Sequence, residues 1–150
     1  MGVESNNYVV ELEPCDTASL VAVLGRRGAV TGKTPLSFVL SSDDHWIDAL
    51  VRPGSATRKP KIELRVALTN PPAAIEAVLG VLAEVLSACR GTVFDRASSE
   101  THHELDSGNR LRIVETWNRR REEFAEHFGT HVWPISGADV FARLRASGRD

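Results

Sequence analysis

The chain has 150 residues, with 18 Lys+Arg against 20 Asp+Glu and a net charge of −2, so it lacks the basic excess needed to neutralise nucleic-acid phosphates. This length and 42% apolar residues suffice for one core, so a single domain over 1–150 is expected without a disulfide scaffold. The first seven residues carry neither a positive nor an apolar region, and Glu76 and Glu84 interrupt the longest apolar stretch, 71–89. No signal peptide or membrane span is expected, and with only Cys15 and Cys89 the default compartment is a reducing cytoplasm.

In chain order, residues 8–13 mix β-branched and alternating residues and stop at Pro14, the pattern of a first strand. Asp16 or Thr17 is placed to cap a helix through Leu20, Val23 and Leu24 that stops at Gly28, although the apolar run 20–24 reads equally as a strand. Segments 36–40 and 46–51 flank Ser41-Ser42-Asp43-Asp44 and predict a hairpin. A polar loop, 53–60, is bracketed by prolines. Residues 61–68 then alternate, with Ile62, Leu64, Val66 and Leu68 toward a core and Lys61, Glu63 and Arg65 toward water. Asn70 as N-cap and Pro71 at the first helical position predict a helix whose stripe is Ile75, Val78, Leu79, Leu82, Leu86 and Cys89, stopped by Gly91. A short strand at 92–94 follows. A charged helix over 110–128 is expected to bury Ile113, Val114, Trp117, Phe124 and Phe128, and Ser136-Gly137-Ala138-Asp139 resembles a capping box before a last helix. The order predicts an α+β fold: an antiparallel sheet with helices packed on one face, a ferredoxin-like βαββαβ variant with an added strand, plus two C-terminal helices.

No familiar catalytic motif is complete. Gly32-Lys33-Thr34 matches the end of a phosphate-binding loop, but Arg27 stands where the first glycine belongs, and Pro35 and a strand follow where a helix is required. His102-His103-Glu104 with Asp106 gathers groups able to bind a metal, yet adjacent histidines on an extended chain point to opposite faces. His127 and His131 have helical ligand spacing, but Gly129 intervenes and Phe128 occupies the glutamate position of a zinc-protease signature. Cys15 has no nearby base, and Cys89 lies on an apolar stripe. No glycine-flanked serine elbow is present. Trp117 reads as core, whereas Trp46, beside Asp43, Asp44 and Asp48, fits either a binding surface or partial burial under the terminal helices.

The stretch 61–72, the long apolar helix after it and Gly91-Thr92-Val93-Phe94-Asp95 are similar to a pattern found in small immunity proteins of bacterial polymorphic-toxin systems. Phe124-Ala125-Glu126-His127-Phe128-Gly129 followed by Pro134-Ile135-Ser136-Gly137-Ala138-Asp139-Val140-Phe141 resembles the closing segment of such proteins. The resemblance implies a cytoplasmic protein that binds and neutralises a cognate toxin by protein–protein interaction, with no catalytic residues and no cofactor.

Between 41 and 106 the acidic side chains outnumber the basic ones by ten to seven. If the 43–48 hairpin and the 95–106 loop adjoin, Asp43, Asp44, Trp46, Asp48, Asp95, Glu100, His102, Glu104 and Asp106 form an acidic partner-binding patch suited to a basic cleft. Two alternatives stand beside this reading. One is a metal-dependent hydrolase using His102 or His103 with Asp106, or His127 with His131. The other is a small-molecule sensor holding its ligand between sheet and C-terminal helices.

Overall fold

The computed structural model describes residues 3–148. Seven strands form one antiparallel sheet: β1 (Ser5–Leu12), β2 (Val30–Thr31), β3 (Ser37–Ser42), β4 (His45–Arg52), β5 (Lys61–Ala67), β6 (Gly91–Asp95) and β7 (Glu100–His102). Their spatial order is β2-β3-β4-β5-β1-β6-β7. The inner run β4-β5-β1-β6, with α1 (Thr17–Arg26) after β1 and α2 (Ala74–Ala88) after β5, is the βαββαβ arrangement expected from the sequence. Three strands are added to it, not one. β2 and β7 are two and three residues long, too short for an alternating pattern to reveal them.

Alternation decides which residues build the core. Phe38, Ala49, Leu64 and Tyr8 form one cross-strand row, and Val51, Ile62, Val10 and Val93 form the next. Each of these side chains is buried, because α1 and α2 cover this face with Leu20, Val23, Leu24, Ile75, Val78 and Leu82. Segment 17–26 is therefore helix, capped by the Asp16 carboxylate accepting from the Ala18 amide at 3.1 Å. Of the expected α2 stripe Ile75, Val78, Leu79 and Leu82 are buried while Leu86 and Cys89 are half-buried, and Val81 and Val85 are buried besides.

α3 (Ser107–Phe128) packs beside α2 on the same side, burying Ile113, Thr116, Trp117 and Phe124. The Trp117 indole donates to the Pro72 carbonyl at 3.1 Å, and the Arg121 guanidinium donates to the Asn70 carbonyl at 3.1 Å. Beyond Gly129 (φ 85°) the chain passes the end of β5 to a 3-10 turn at Gly137–Asp139 and then α4 (Val140–Ala146). Among the described residues no helix is long and apolar enough to cross a membrane.

Two expected helix signals act differently. Asn70 does not cap α2, which starts at Ala74 without a side-chain cap. Fully buried, Asn70 instead accepts from the Trp46 amide at 2.7 Å and donates to the carbonyls of Ala67 (3.0 Å) and Ile135 (3.4 Å). It ties β4, the end of β5 and the 129–136 crossing to one point. Gly91 is not the stop of α2; the helix ends at Ala88 and Gly91 opens β6. A Cβ there would lie 2.3 Å from the Glu11 carbonyl oxygen of the neighbouring strand, so only glycine allows that approach.

Candidate functional site

Among the described residues, α1, α2 and α3 cover one face of the sheet, and the opposite face is the open one. On the open face, Val39, Asp48, Arg65 and Asn7 form one cross-strand row, and Ser37, Leu50, Glu63, Val9 and Phe94 form the next. All nine are half-buried. The 136–139 turn overhangs this face from one side and the Gly32-Lys33-Thr34 loop borders it on the other, enclosing a groove of about 730 Å³ floored by Asp48, Leu50, Glu63 and Arg65. Lys33 thus borders the groove and leads into β3, with no helix at the lysine to cradle a phosphate.

The turn is held by contacts distant in sequence. The Thr69 carbonyl accepts from the Trp133 amide at 2.6 Å, the Thr69 hydroxyl donates to the Trp133 carbonyl at 3.2 Å, and Asn70 holds Ile135. Gly137 then crosses above Arg65; a Cβ there would lie 2.6 Å from the guanidinium Nε, so a side chain would push turn and arginine apart. The Ser136 hydroxyl donates to the Asp139 carboxylate at 2.9 Å, joining the two ends of the expected capping box by their side chains, with no Ser136 side-chain bond to the backbone.

Charge in the groove is mixed. Arg65 is ion-paired to Glu4, and its Nε donates to the Ser5 hydroxyl at 3.1 Å. Asp48 accepts from the Trp46 indole at 3.1 Å. Partial burial pushes its carboxyl above the ordinary carboxylate range and the nearby Asp139 adds to this, while the Trp46 indole, the Arg65 cation and the Gly137 amide oppose it. An occupant carrying both a cation and an anion would find partners here: Asp48 and Asp139 for one, Lys33 and Arg65 for the other.

The sheet order separates the expected acidic patch. Four strand spacings lie between β4 and β7, roughly 19 Å at about 4.8 Å each. Trp46 and Asp48 stand at the groove, with Asp43 and Asp44 in the β3–β4 turn beside it. There the Ser42 hydroxyl and His45 hold the Asp44 carboxyl below its ordinary range. Glu104 and Asp106 lie after β7, at the opposite end of the sheet from that turn. Asp106 caps α3, accepting from the Asn109 amide at 2.8 Å, and Glu100 pairs with Arg112. Asp95 and His102 are 1% and 4% exposed. They belong to the helix-facing rows, since Asp95 pairs with Tyr8 and His102 with Val93, so neither is presented to a partner.

Those two residues form part of a polar cluster with buried Asn6 and Tyr8 and half-buried Arg120. The Asn6 amide donates to the Tyr8 hydroxyl at 3.2 Å, and one side-chain atom each of Asn6, Asp95, His102 and Arg120 has no hydrogen-bond partner among the described residues. Burial pushes both the Tyr8 hydroxyl and the Asp95 carboxyl upward, which favours their neutral forms. Among the described residues no three His, Cys, Asp or Glu side chains are grouped to hold a metal ion. His127 lies in the last turn of α3, and His131 lies beyond Gly129 with its ring 4.7 Å from that of Trp133.

Sequence reasoning missed Lys33, Arg65, Ser136 and Asp139 as neighbours of Trp46 and Asp48. Alternation in 61–68 placed Arg65 on the water-facing side, but only the return of 136–139 across the sheet turns that face into a groove. Compared with known proteins, the chain matches no family model, no curated protein and no solved structure.

Proposed function

We propose that this chain is a non-catalytic binding protein whose open sheet face receives a segment of a partner protein, acting as a cytoplasmic immunity protein that neutralises a cognate bacterial toxin. The observation that carries the reading is the groove: a half-buried indole and Leu50 supply apolar contact, and charges of both signs line it. The contact surface is thereby moved from a purely acidic patch to the β3-β4-β5 face, retaining Trp46 and Asp48. The toxin-immunity identity rests on the resemblance of 61–95 and 124–141.

The test is co-purification with, and protection against, the toxin domain encoded beside this gene. Trp46→Ala is expected to weaken binding by about thirtyfold, a hot-spot loss, whereas Glu104→Ala at the far end leaves it unchanged. Binding lost in Glu104→Ala and kept in Trp46→Ala would move the interface elsewhere. Absence of both binding and protection would remove the immunity reading.

A second reading is favoured by the size of the groove, which lies in the usual range for small-molecule sites of about 300–1,000 Å³. A sensor would hold its ligand between the sheet and the 136–139 turn. Thermal stabilisation by a metabolite, abolished in Trp46→Ala, is the expected result for that reading.

A further inference from the structure

The link from β1 into α1 runs beside the chain leaving α2. The Glu13 amide donates to the Arg90 carbonyl at 2.8 Å, and the Cys89 thiol donates to the Glu13 carbonyl at 3.3 Å. Leu12 pairs with Gly91 across β1 and β6. These bonds set the Cys89 thiol against the carbonyl of Glu13, two residues before Cys15, and make the two cysteines neighbours. Both are half-buried and reduced, and they are the only cysteines in the chain. Cys15 also lines a surface cavity of about 250 Å³ with Pro14, Thr17 and Arg58, which gives a small reagent a way in.

We propose that Cys15 and Cys89 form a reversible intramolecular disulfide that staples the β1–α1 link to the end of α2. The oxidant is a low-molecular-weight disulfide of the oxidised-glutathione class. One cysteine thiolate attacks a sulfur of the reagent, whose S–S bond breaks; a mixed disulfide forms and the first small thiol leaves. The second cysteine, deprotonated, attacks the protein sulfur of that mixed disulfide, forming the Cys15–Cys89 bond and releasing the second small thiol. Two electrons pass from the protein thiols to the reagent, and the two protons end on the released thiols. Burial and then the neighbouring Cys89 push the Cys15 thiol up to about 12, which keeps its thiolate scarce and the exchange slow near neutral pH.

The closed ring would enclose α1, β2 to β5 and α2, and a loop of that length restricts the unfolded chain strongly. The test treats the folded full chain with oxidised glutathione at about pH 8 and reads mass, gel mobility and melting temperature. Expected are a monomer lighter by about 2 Da, a cross-linked peptide joining 15 to 89, and a melting temperature higher by roughly 5–10 °C, all reversed by dithiothreitol. Cys89→Ser and Cys15→Ser should each stop at a single glutathione adduct. Stable adducts on both cysteines of the native chain, an intermolecular dimer, no reaction, or a bond without thermal stabilisation would each overturn the proposal.

Discussion

Tyr8, Leu64, Ala49 and Phe38 make a cross-strand row in which the Tyr8 hydroxyl is the sole polar side-chain group; one residue further along three of these strands the row is Arg65, Asp48 and Val39, with Asn7 completing it on β1. The same backbone ladder therefore carries two different surfaces, separated by the alternation of the pleat. The helix-facing surface is closed by α1, α2 and α3. The other is covered in part, by a four-residue turn, and the uncovered remainder is where a partner has room. Under the proposed binding role, stability and recognition fall on opposite faces of one set of strands.

The largest effect expected from that division comes from truncating the covered face. Leu64→Ala, at a position with no exposure, is expected to destabilise the fold by about 2–5 kcal/mol in chemical denaturation. Leu50→Ala, one pleat row away on the half-buried open face, should cost less than about 1 kcal/mol and weaken partner binding instead. Equal costs for the two would mean that the faces are not divided as described.

Asn70→Ala tests the point where the faces are joined. The substitution leaves the Trp46 amide without its acceptor and the Ile135 carbonyl without its donor, while the Ala67 carbonyl keeps the backbone amide of residue 70 at 3.0 Å. The expected cost is about 2–3 kcal/mol, from unsatisfied buried groups. Faster amide exchange should appear at Trp133 and Ile135 while the α1 and α2 amides stay protected. Uniform loss of protection would show that Asn70 supports the whole core and not the crossing segment.

How much of this was legible in the sequence follows the same division. Alternation in 61–68 and the helical stripe beginning at Ile75 fixed the covered face, because each is a local pattern with a period set by one element. Helix start signals were legible where nothing competed, as with the Asp16 cap. Asn70 lost its expected cap role because Trp46 and Ile135, far along the chain, together with nearby Ala67, satisfy its side chain. The groove was illegible for the same reason: it needs Gly137 above Arg65, a contact between residues 72 apart that no local pattern encodes. Asp95 and His102 were placed on the surface because a short strand after a turn carries no signal of which face it presents. Their burial exposes a departure within the covered face itself, whose rows become polar toward β6 and β7.

That polar edge yields the smallest expected effect, and its sign can be worked out. Asp95 is pushed above the ordinary carboxylate range chiefly by burial, with Glu100 adding to it; the Ala97 and Ser98 amides and His102 oppose the shift. Its folded form therefore binds a proton more tightly than the unfolded chain does. Over the window from the ordinary value of about 4 up to the raised one, the folded state carries more protons, so this group makes stability rise as pH falls and fall as pH rises. Asp48, also raised, acts in the same direction, and Asp44, lowered, acts in the opposite one. The difference between the native chain and Asp95→Asn removes both, since the substitution keeps an oxygen to accept from the Ala97 amide at 3.0 Å. Denaturation at several pH values should show the native chain gaining on the variant as pH is lowered through that window. A difference that stays flat would mean that Asp95 titrates alike in the folded and unfolded chains, and that the edge under α3 is as wet as the open face.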